Sequence, residues 1–145
     1  MQNNKSPFRK DKYDQWDSVA KQAVRSYLLK QNYELATDIE DYDADIKTTK
    51  PVVSHHEVEV KLSWSADWPE SWNTIHIPYR KKRLIDKIDS PDSLTFYVLK
   101  KNLKEAWTIK GSQCLDIIEV PNKFVPSGEY FFNIPIKNAK LINLR

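Results

Sequence analysis

The alternating stretch at residues 56–62 constrains the fold of this chain more than any other feature of its sequence. Apolar residues at positions 58, 60 and 62 alternate with the charged residues Glu57, Glu59 and Lys61. Because side chains at i and i+2 of a β-strand point to the same face, this period predicts a strand with one apolar face and one charged face. Two carboxylates and an ammonium group would then project side by side.

The residues before this strand predict a helix followed by another strand. Between residues 12 and 31, apolar side chains recur at i, i+3, i+4 and i+7, the pattern of an amphipathic helix with one buried face. They are Trp16, Val19, Ala20, Ala23, Val24, Tyr27 and Leu28. We expect this helix to stop at Asn32. From residue 33 to 49 the period is two, and Lys50-Pro51 breaks the run, so residues 33–49 and 55–64 predict an antiparallel hairpin.

The rest of the chain predicts a loop at residues 64–72, a helix from Pro78 to about Asp89, and further strands. The strand candidates are residues 94–100, 106–110, 115–120 and 130–136. This order of elements predicts one α/β (α+β) domain over residues 12–145, with residues 1–11 as a flexible basic tail.

Composition excludes several classes of function. Two glycines, Gly111 and Gly128, are too few for a glycine-rich phosphate loop. A single cysteine, Cys114, excludes an internal disulfide and a cysteine zinc site, suits a reducing cytosol, and is expected to be buried. We find no apolar run of membrane-spanning length and no apolar secretory signal, which predicts a cytoplasmic protein with no membrane partner. The net charge of +3 permits nucleic acid binding without indicating it.

Acidic residues cluster on the two strands of the predicted hairpin. Asp41, Asp43 and Asp45 alternate along the first strand, and residues 46–58 leave room for a turn before Glu59. Two carboxylates and a backbone carbonyl are oxygen ligands that Mg²⁺ prefers, and a nearby ammonium can stabilise charge developing on a phosphate. Glu57 shares the face of Glu59, and would either extend this acidic site or be exposed. The alternative interpretation is a solvated strand face with alternating charges.

Histidines and a basic run give weaker signals. Because adjacent histidines point to opposite faces of a strand, we expect His55 and His56 to be surface or rim residues rather than a zinc pair. His76 lies between two isoleucines and is expected to be partly buried. The run Arg80-Lys81-Lys82-Arg83 could neutralise phosphates, with a solvated helix face as the alternative.

The order of these elements and charges resembles the PD-(D/E)XK nuclease superfamily, which includes restriction-type endonucleases, Holliday-junction resolvases and small phage nucleases. The resemblance implies a restriction-endonuclease-like core of helix-strand-strand-strand-helix-strand around a central mixed sheet, with extra C-terminal strands. It also implies Mg²⁺-dependent hydrolysis of phosphodiester bonds, with Mn²⁺ able to substitute. DNA is favoured over RNA as the substrate, and a homodimer would let two sites address two strands.

The same resemblance implies roles for particular residues. Asp45 would be the metal-binding aspartate, Glu59 the second metal-binding acid, and Lys61 the lysine that orients the attacking water. Ala44 stands where the superfamily often has a proline, so Asp43 remains in reserve as the metal ligand. The helix after the third strand lies near the active site in this superfamily, which favours Arg80, Lys81 and Lys82 as nucleic acid contacts. The alternative function is a catalytically inactive nuclease-like module that binds nucleic acid or protein.

Overall fold

The computed structural model describes residues 10–36, 45–60, 73–88, 90–99, 103–122 and 125–144. These residues form two α-helices, α1 (Lys10–Lys30) and α2 (Lys82–Lys87). Their strands are β1 (Glu34–Leu35), β2 (Ile46–Lys50), β3 (Ser54–Val60), β4 (Thr74–Pro78), β5 (Leu94–Leu99), β6 (Glu105–Lys110), β7 (Ile117–Asn122), β8 (Val125–Pro135) and β9 (Lys140–Asn143).

Helix α1 buries one face and ends where the sequence predicted. Ala20, Val24 and Leu28, spaced four residues apart, are fully buried. Val19, which the pattern assigned to the buried face, is instead 49% exposed, because its neighbour Ala20 takes the position that faces the sheet. Asn32 has a φ of 68°, a left-handed conformation that asparagine tolerates, and the Tyr33 N–H donates to the Leu28 carbonyl at 3.0 Å.

The larger sheet has six strands in the order β1-β2-β3-β5-β6-β9. The predicted antiparallel hairpin is confirmed for β2 and β3, with Ile46 opposite His56, but the first predicted strand, residues 33–49, contains two described strands, β1 and β2. Strand β5 pairs with β3 in parallel, which is possible because β4 and α2 form a crossover between them. All other pairs in this sheet are antiparallel. The predicted mixture of helices and strands around a mixed sheet is therefore confirmed.

The centre of this sheet is covered on both faces. On one face, α1 packs over Val58, Tyr97 and Leu99. On the other, Phe96 and Val98 contact a second apolar cluster that includes Ile75 and residues of β8. Every residue of β5 is buried, which explains why its sequence is largely apolar, with Thr95 as the exception, rather than alternating.

A second, three-stranded antiparallel sheet has the order β4-β8-β7. The sequence predicted strands near β7 and β8, but it predicted neither their separation into a second sheet nor strands β4 and β9. Ile75 and Ile77 of β4 lie opposite Ile134 and Phe132 of β8, and all four are buried. A 3-10 turn, Tyr79–Lys81, connects β4 directly to α2.

The structure also bears on Cys114 and on whether a helix could span a membrane. Cys114 is buried as expected, and burial raises the pKa of its thiol to about 12. Among the parts of the chain that the structure describes, neither helix combines the length and the apolar composition that crossing a membrane requires.

Candidate functional site

Asp45 lies where β2, β3 and α1 meet. Its backbone N–H donates to Glu57 Oε1 at 2.9 Å, and its Oδ2 accepts the Val58 N–H at 2.9 Å. Lys21 of α1 places its Nζ 3.3 Å from Asp45 Oδ1. The Asp45 side chain thus continues the hydrogen bonding between β2 and β3 by one residue. The Val58 N–H and the Lys21 ammonium together hold its carboxylate in position.

Glu57 and Glu59 project from β3 toward the second sheet. Their partners on β5 are Phe96 and Val98, which belong to the apolar cluster on that face. The side chains of Glu57 and Glu59 are only 5% and 11% exposed, so each carboxylate needs a polar partner. Of the two alternatives for Glu57, the structure excludes exposure: the residue is buried and accepts the Asp45 N–H.

Lys81 supplies the partner that these buried carboxylates need. Its Nζ donates a short hydrogen bond to Glu57 Oε2 and lies 3.2 Å from Glu59 Oε2, with 13% of the side chain exposed. The 3-10 turn after β4 brings it there, since β4 packs on the same face of the sheet. Arg80 and Lys82, its neighbours in the sequence, are exposed, and Lys82 pairs with Asp86 at 2.6 Å.

Burial and mutual repulsion set the charge of this group. Burial, and then the negative charge of Asp45, raise the pKa of Glu57, against the opposing effect of Lys81. Burial alone would lower the pKa of Lys81, but the carboxylates of Glu59 and Glu57 outweigh it and the pKa is raised. Lys81 therefore stays protonated at neutral pH. Its single positive charge is shared between the carboxylates of Glu57 and Glu59.

The structure brings together some of the residues that the sequence singled out. Asp45 directly precedes β2 and contacts Glu57 of the adjacent β3 through its backbone N–H, and Glu59 lies on the same strand as Glu57. Lys61, Asp43 and Asp41 lie outside the described residues. The pairing of Lys81 with the glutamates was missed. No local sequence signal indicates this pairing, because the acidic face is buried by a second sheet whose strands are distant in the sequence.

The donor atoms of this group are carboxylate oxygens. No three described histidine, cysteine, aspartate or glutamate side chains are close enough together to hold a metal ion. A cation here would therefore have two protein carboxylates at most from the described residues and would keep several waters, as Mg²⁺ commonly does.

His56 departs from its expected place on the surface. It is 4% exposed, with Nε2 2.8 Å from Ser54 Oγ and Nδ1 2.7 Å from the Tyr97 hydroxyl. Burial, followed by the charges of Lys110 and His55, lowers its pKa to about 4. The prediction failed because α1 covers the face to which His56 points. His76 is half-buried as expected, with its ring 5.5 Å from that of Phe131.

Comparisons of this chain with protein-family models, with curated proteins and with solved structures found no match. The chemistry of the side chains is therefore the basis on which a function can be inferred.

Proposed function

We propose that this chain is a metal-dependent nuclease, a hydrolase that cleaves DNA phosphodiester bonds, with Asp45 and Glu59 as its metal-binding carboxylates. The observation that carries the proposal is the meeting of acidic side chains from two antiparallel strands. Asp45 accepts the N–H of Val58, the residue that directly precedes Glu59. The Asp45 carboxylate therefore lies against the strand that carries Glu59, and this contact between Asp45 and β3 is the acidic junction.

The order of elements supports the same proposal. Helix α1 is followed by β1, β2 and β3 in antiparallel succession, and β5 returns parallel to β3 after α2. The resemblance to PD-(D/E)XK nucleases implies the order helix-strand-strand-strand-helix-strand, and the described elements support it if β4 is counted as an additional strand. Asp45 directly precedes β2, and Glu57 and Glu59 lie on β3, which supports the placement of acidic residues that the resemblance implies.

The charges at the junction suit a divalent cation. Three carboxylates, those of Asp45, Glu57 and Glu59, are accompanied by the ammonium groups of Lys21 and Lys81. Mg²⁺ held by Asp45 and Glu59 would polarise the phosphodiester and acidify a water molecule. Val58 and Lys21 hold the Asp45 carboxylate in place, and the exposed Arg80 and Lys82 are available to contact phosphates.

Cleavage assays with labelled DNA test this proposal. Duplex, branched and single-stranded DNA, and a matching RNA, would each be incubated with Mg²⁺, Mn²⁺ or EDTA. We expect metal-dependent cleavage of DNA, reduced at least about a hundredfold by Glu59→Gln, because the substitution removes a ligand. Glu34→Gln, which changes an exposed glutamate of β1, is the matched control and should cleave like the wild type. Undiminished cleavage by Glu59→Gln would contradict the assignment.

Two lysines compete for the role of orienting the attacking water. The resemblance assigns it to Lys61, whereas Lys81 is the lysine in contact with Glu57 and Glu59. Lys61→Ala and Lys81→Ala should therefore be assayed together on the same DNA. Loss of cleavage in Lys61→Ala alone would support Lys61, and loss in a folded Lys81→Ala alone would transfer the role to Lys81.

A catalytically inactive nuclease-like module is the second candidate, and one observation favours it. The carboxylates are already paired within the protein, Glu57 and Glu59 with Lys81 and Asp45 with Lys21. Such pairs could serve only to hold β2, β3 and the 3-10 turn together. Calorimetric titration with Mg²⁺ and Mn²⁺ separates the candidates: metal binding lost in Glu59→Gln supports the nuclease, and DNA binding without metal binding supports the module.

A further inference from the structure

The face of the larger sheet that α1 covers changes from apolar to polar along the strands. Beneath the helix this face carries Val58, Leu99 and Ala106. Toward its other end, past the last turn of α1, it carries His56, Thr95, Thr108, Lys110 and Lys140. The strand register establishes that they share this face: His56 lies opposite Thr95, Thr95 opposite Lys110, and Thr108 opposite Lys140.

These polar residues line a cavity of about 440 Å³ between the sheet and the C-terminal end of α1. Its volume falls within the range of about 300–1,000 Å³ that is typical of small-molecule sites. His56, Thr95 and Tyr97 are buried and form its inner part, whereas Lys110 and Lys140 are exposed at its opening. Side-chain amides of Gln31, Gln113 and Asn138 complete a rim that can donate and accept hydrogen bonds.

The charge in this cavity is positive. Lys110 and Lys140 line it, and no acidic residue is among its described lining residues. Thr108 lies directly opposite Lys140 and two residues before Lys110, which makes the two lysines diagonal neighbours across β6 and β9. The Lys110 ammonium donates to Thr95 Oγ1 at 3.2 Å, which directs it along the cavity lining. His56 adds no charge at neutral pH because burial keeps its imidazole unprotonated.

The end of helix α1 does not cancel this positive charge. A helix C-terminus carries partial negative charge through its last carbonyl groups. Here the carbonyls of Tyr27, Leu28 and Leu29 accept N–H groups from residues 31–33, all at 3.0 Å. Those carbonyls therefore already accept hydrogen bonds from within the chain.

One wall of the cavity is aromatic. Tyr27, Tyr33 and Tyr97 line it together with His56. The rings of Tyr33 and His56 meet edge to face with centroids 6.3 Å apart, and those of His56 and Tyr97 are 5.5 Å apart. A planar ring can stack against such a wall while the lysines receive an anionic group.

We propose that this cavity binds a phosphate ester that carries a planar ring, of the mononucleotide class, with its phosphate at Lys110 and Lys140 and its ring against the tyrosines. The cavity and the acidic junction lie on opposite faces of β3, since His56 and Glu57 are consecutive residues. The proposal therefore does not rest on the proposed nuclease activity.

Calorimetric titration in EDTA with deoxyadenosine 5′-monophosphate tests the cavity without any metal. We expect saturable binding that Lys110→Gln and Lys140→Gln each weaken about tenfold, the usual effect of losing one charge-assisted hydrogen bond. Lys50→Gln removes an exposed lysine at the end of β2 and should bind like the wild type. Absence of saturable binding, or equal losses in Lys50→Gln and Lys110→Gln, would overturn the proposal.

Matched ligands identify which chemistry the cavity recognises. Deoxyadenosine and inorganic phosphate should each bind more weakly than the nucleotide, and a nucleoside that binds equally well would contradict the role of the lysines. Competition by a 5′-phosphorylated oligonucleotide, but not by its 5′-hydroxyl form, would support a strand end as the source of the phosphate. Binding of the free nucleotide alone would support a small-molecule ligand. Glu59→Gln should leave all these affinities unchanged, which keeps this test separate from that of the nuclease.

Discussion

The two faces of strand β3 carry opposite charge environments, although their residues alternate one by one along the chain. Glu57 and Glu59 point to the face that packs on the second sheet, where Lys81 pairs with both. His56 points to the opposite face, which α1 partly covers and which we call the helix face. The basic side chains that line its cavity are Lys110 and Lys140. Because a strand reverses side-chain direction at every residue, one short segment can serve two chemically different sites.

The two faces also differ in how they accommodate a buried ionisable group. On the acidic face, Glu57 and Glu59 are paired with the ammonium group of Lys81, which the 3-10 turn after β4 supplies. On the helix face, His56 gives up its charge and makes neutral hydrogen bonds to Ser54 and Tyr97. Paired charges and neutralised groups are the two ways in which a protein interior tolerates titratable side chains.

Replacing Lys81 should have the largest effect on stability. The substitution removes the cation that pairs with Glu57 and Glu59 and leaves the helix face of β3 unchanged. Lys81→Met leaves two buried carboxylates without their cation, and we expect the free energy of unfolding at pH 7 to fall by about 3 kcal/mol. Lys82→Met is the matched control, since its ion pair with Asp86 is exposed and should contribute nothing measurable. Urea unfolding of both variants measures the difference.

A double variant sharpens this prediction. Glu57→Gln in the Lys81→Met background removes one of the two unpaired charges and should recover part of the lost stability. Equal stabilities of Lys81→Met and Lys82→Met would mean that Lys81 does not neutralise the acidic face.

The helix face should respond to pH through His56, with a smaller effect. The pKa of His56 is lowered from 6.5 to about 4 in the folded chain. The unfolded chain therefore binds a proton that the folded chain rejects, and the free energy of unfolding should fall as pH drops below about 6.5. Between about pH 7.5 and pH 5, this group should account for a loss of about 2 kcal/mol.

Urea unfolding at several pH values measures that loss. In His56→Gln the corresponding part of the pH dependence should disappear, whereas Lys50→Gln should keep the wild-type dependence. A pH profile that is unchanged in His56→Gln would show that His56 is not held neutral by its surroundings.

Much of the architecture followed from local patterns in the sequence. Helix α1 and its end at Asn32, the antiparallel hairpin, and strands β5 and β6 were predicted because each carries its own periodicity or punctuation. Strand β4 was missed because Pro78 was interpreted as the beginning of a helix, and the strand before it pairs only with the distant β8. Such pairing has no local signal.

The candidate site was predictable only in part, for the same reason. Alternation placed Glu57 and Glu59 on one face of a strand, and the structure agrees. It could not reveal that a second sheet covers this face, and so it treated Lys81 as a member of an exposed basic run. The burial of His56 was missed similarly, because its ring contacts Tyr33 and Tyr97, which are distant in the sequence. The role of Lys61 stays a prediction from the resemblance.

The most direct test of the account is the location of a bound metal ion. Crystals of the protein soaked in Mn²⁺ would give anomalous scattering at each ion. We predict a peak within bonding distance of carboxylate oxygens of Asp45 and Glu59, with the Lys81 ammonium withdrawn from Glu59. Fully soaked crystals with no peak at these two residues, and with Lys81 still paired to Glu59, would contradict the assignment of a metal-dependent nuclease.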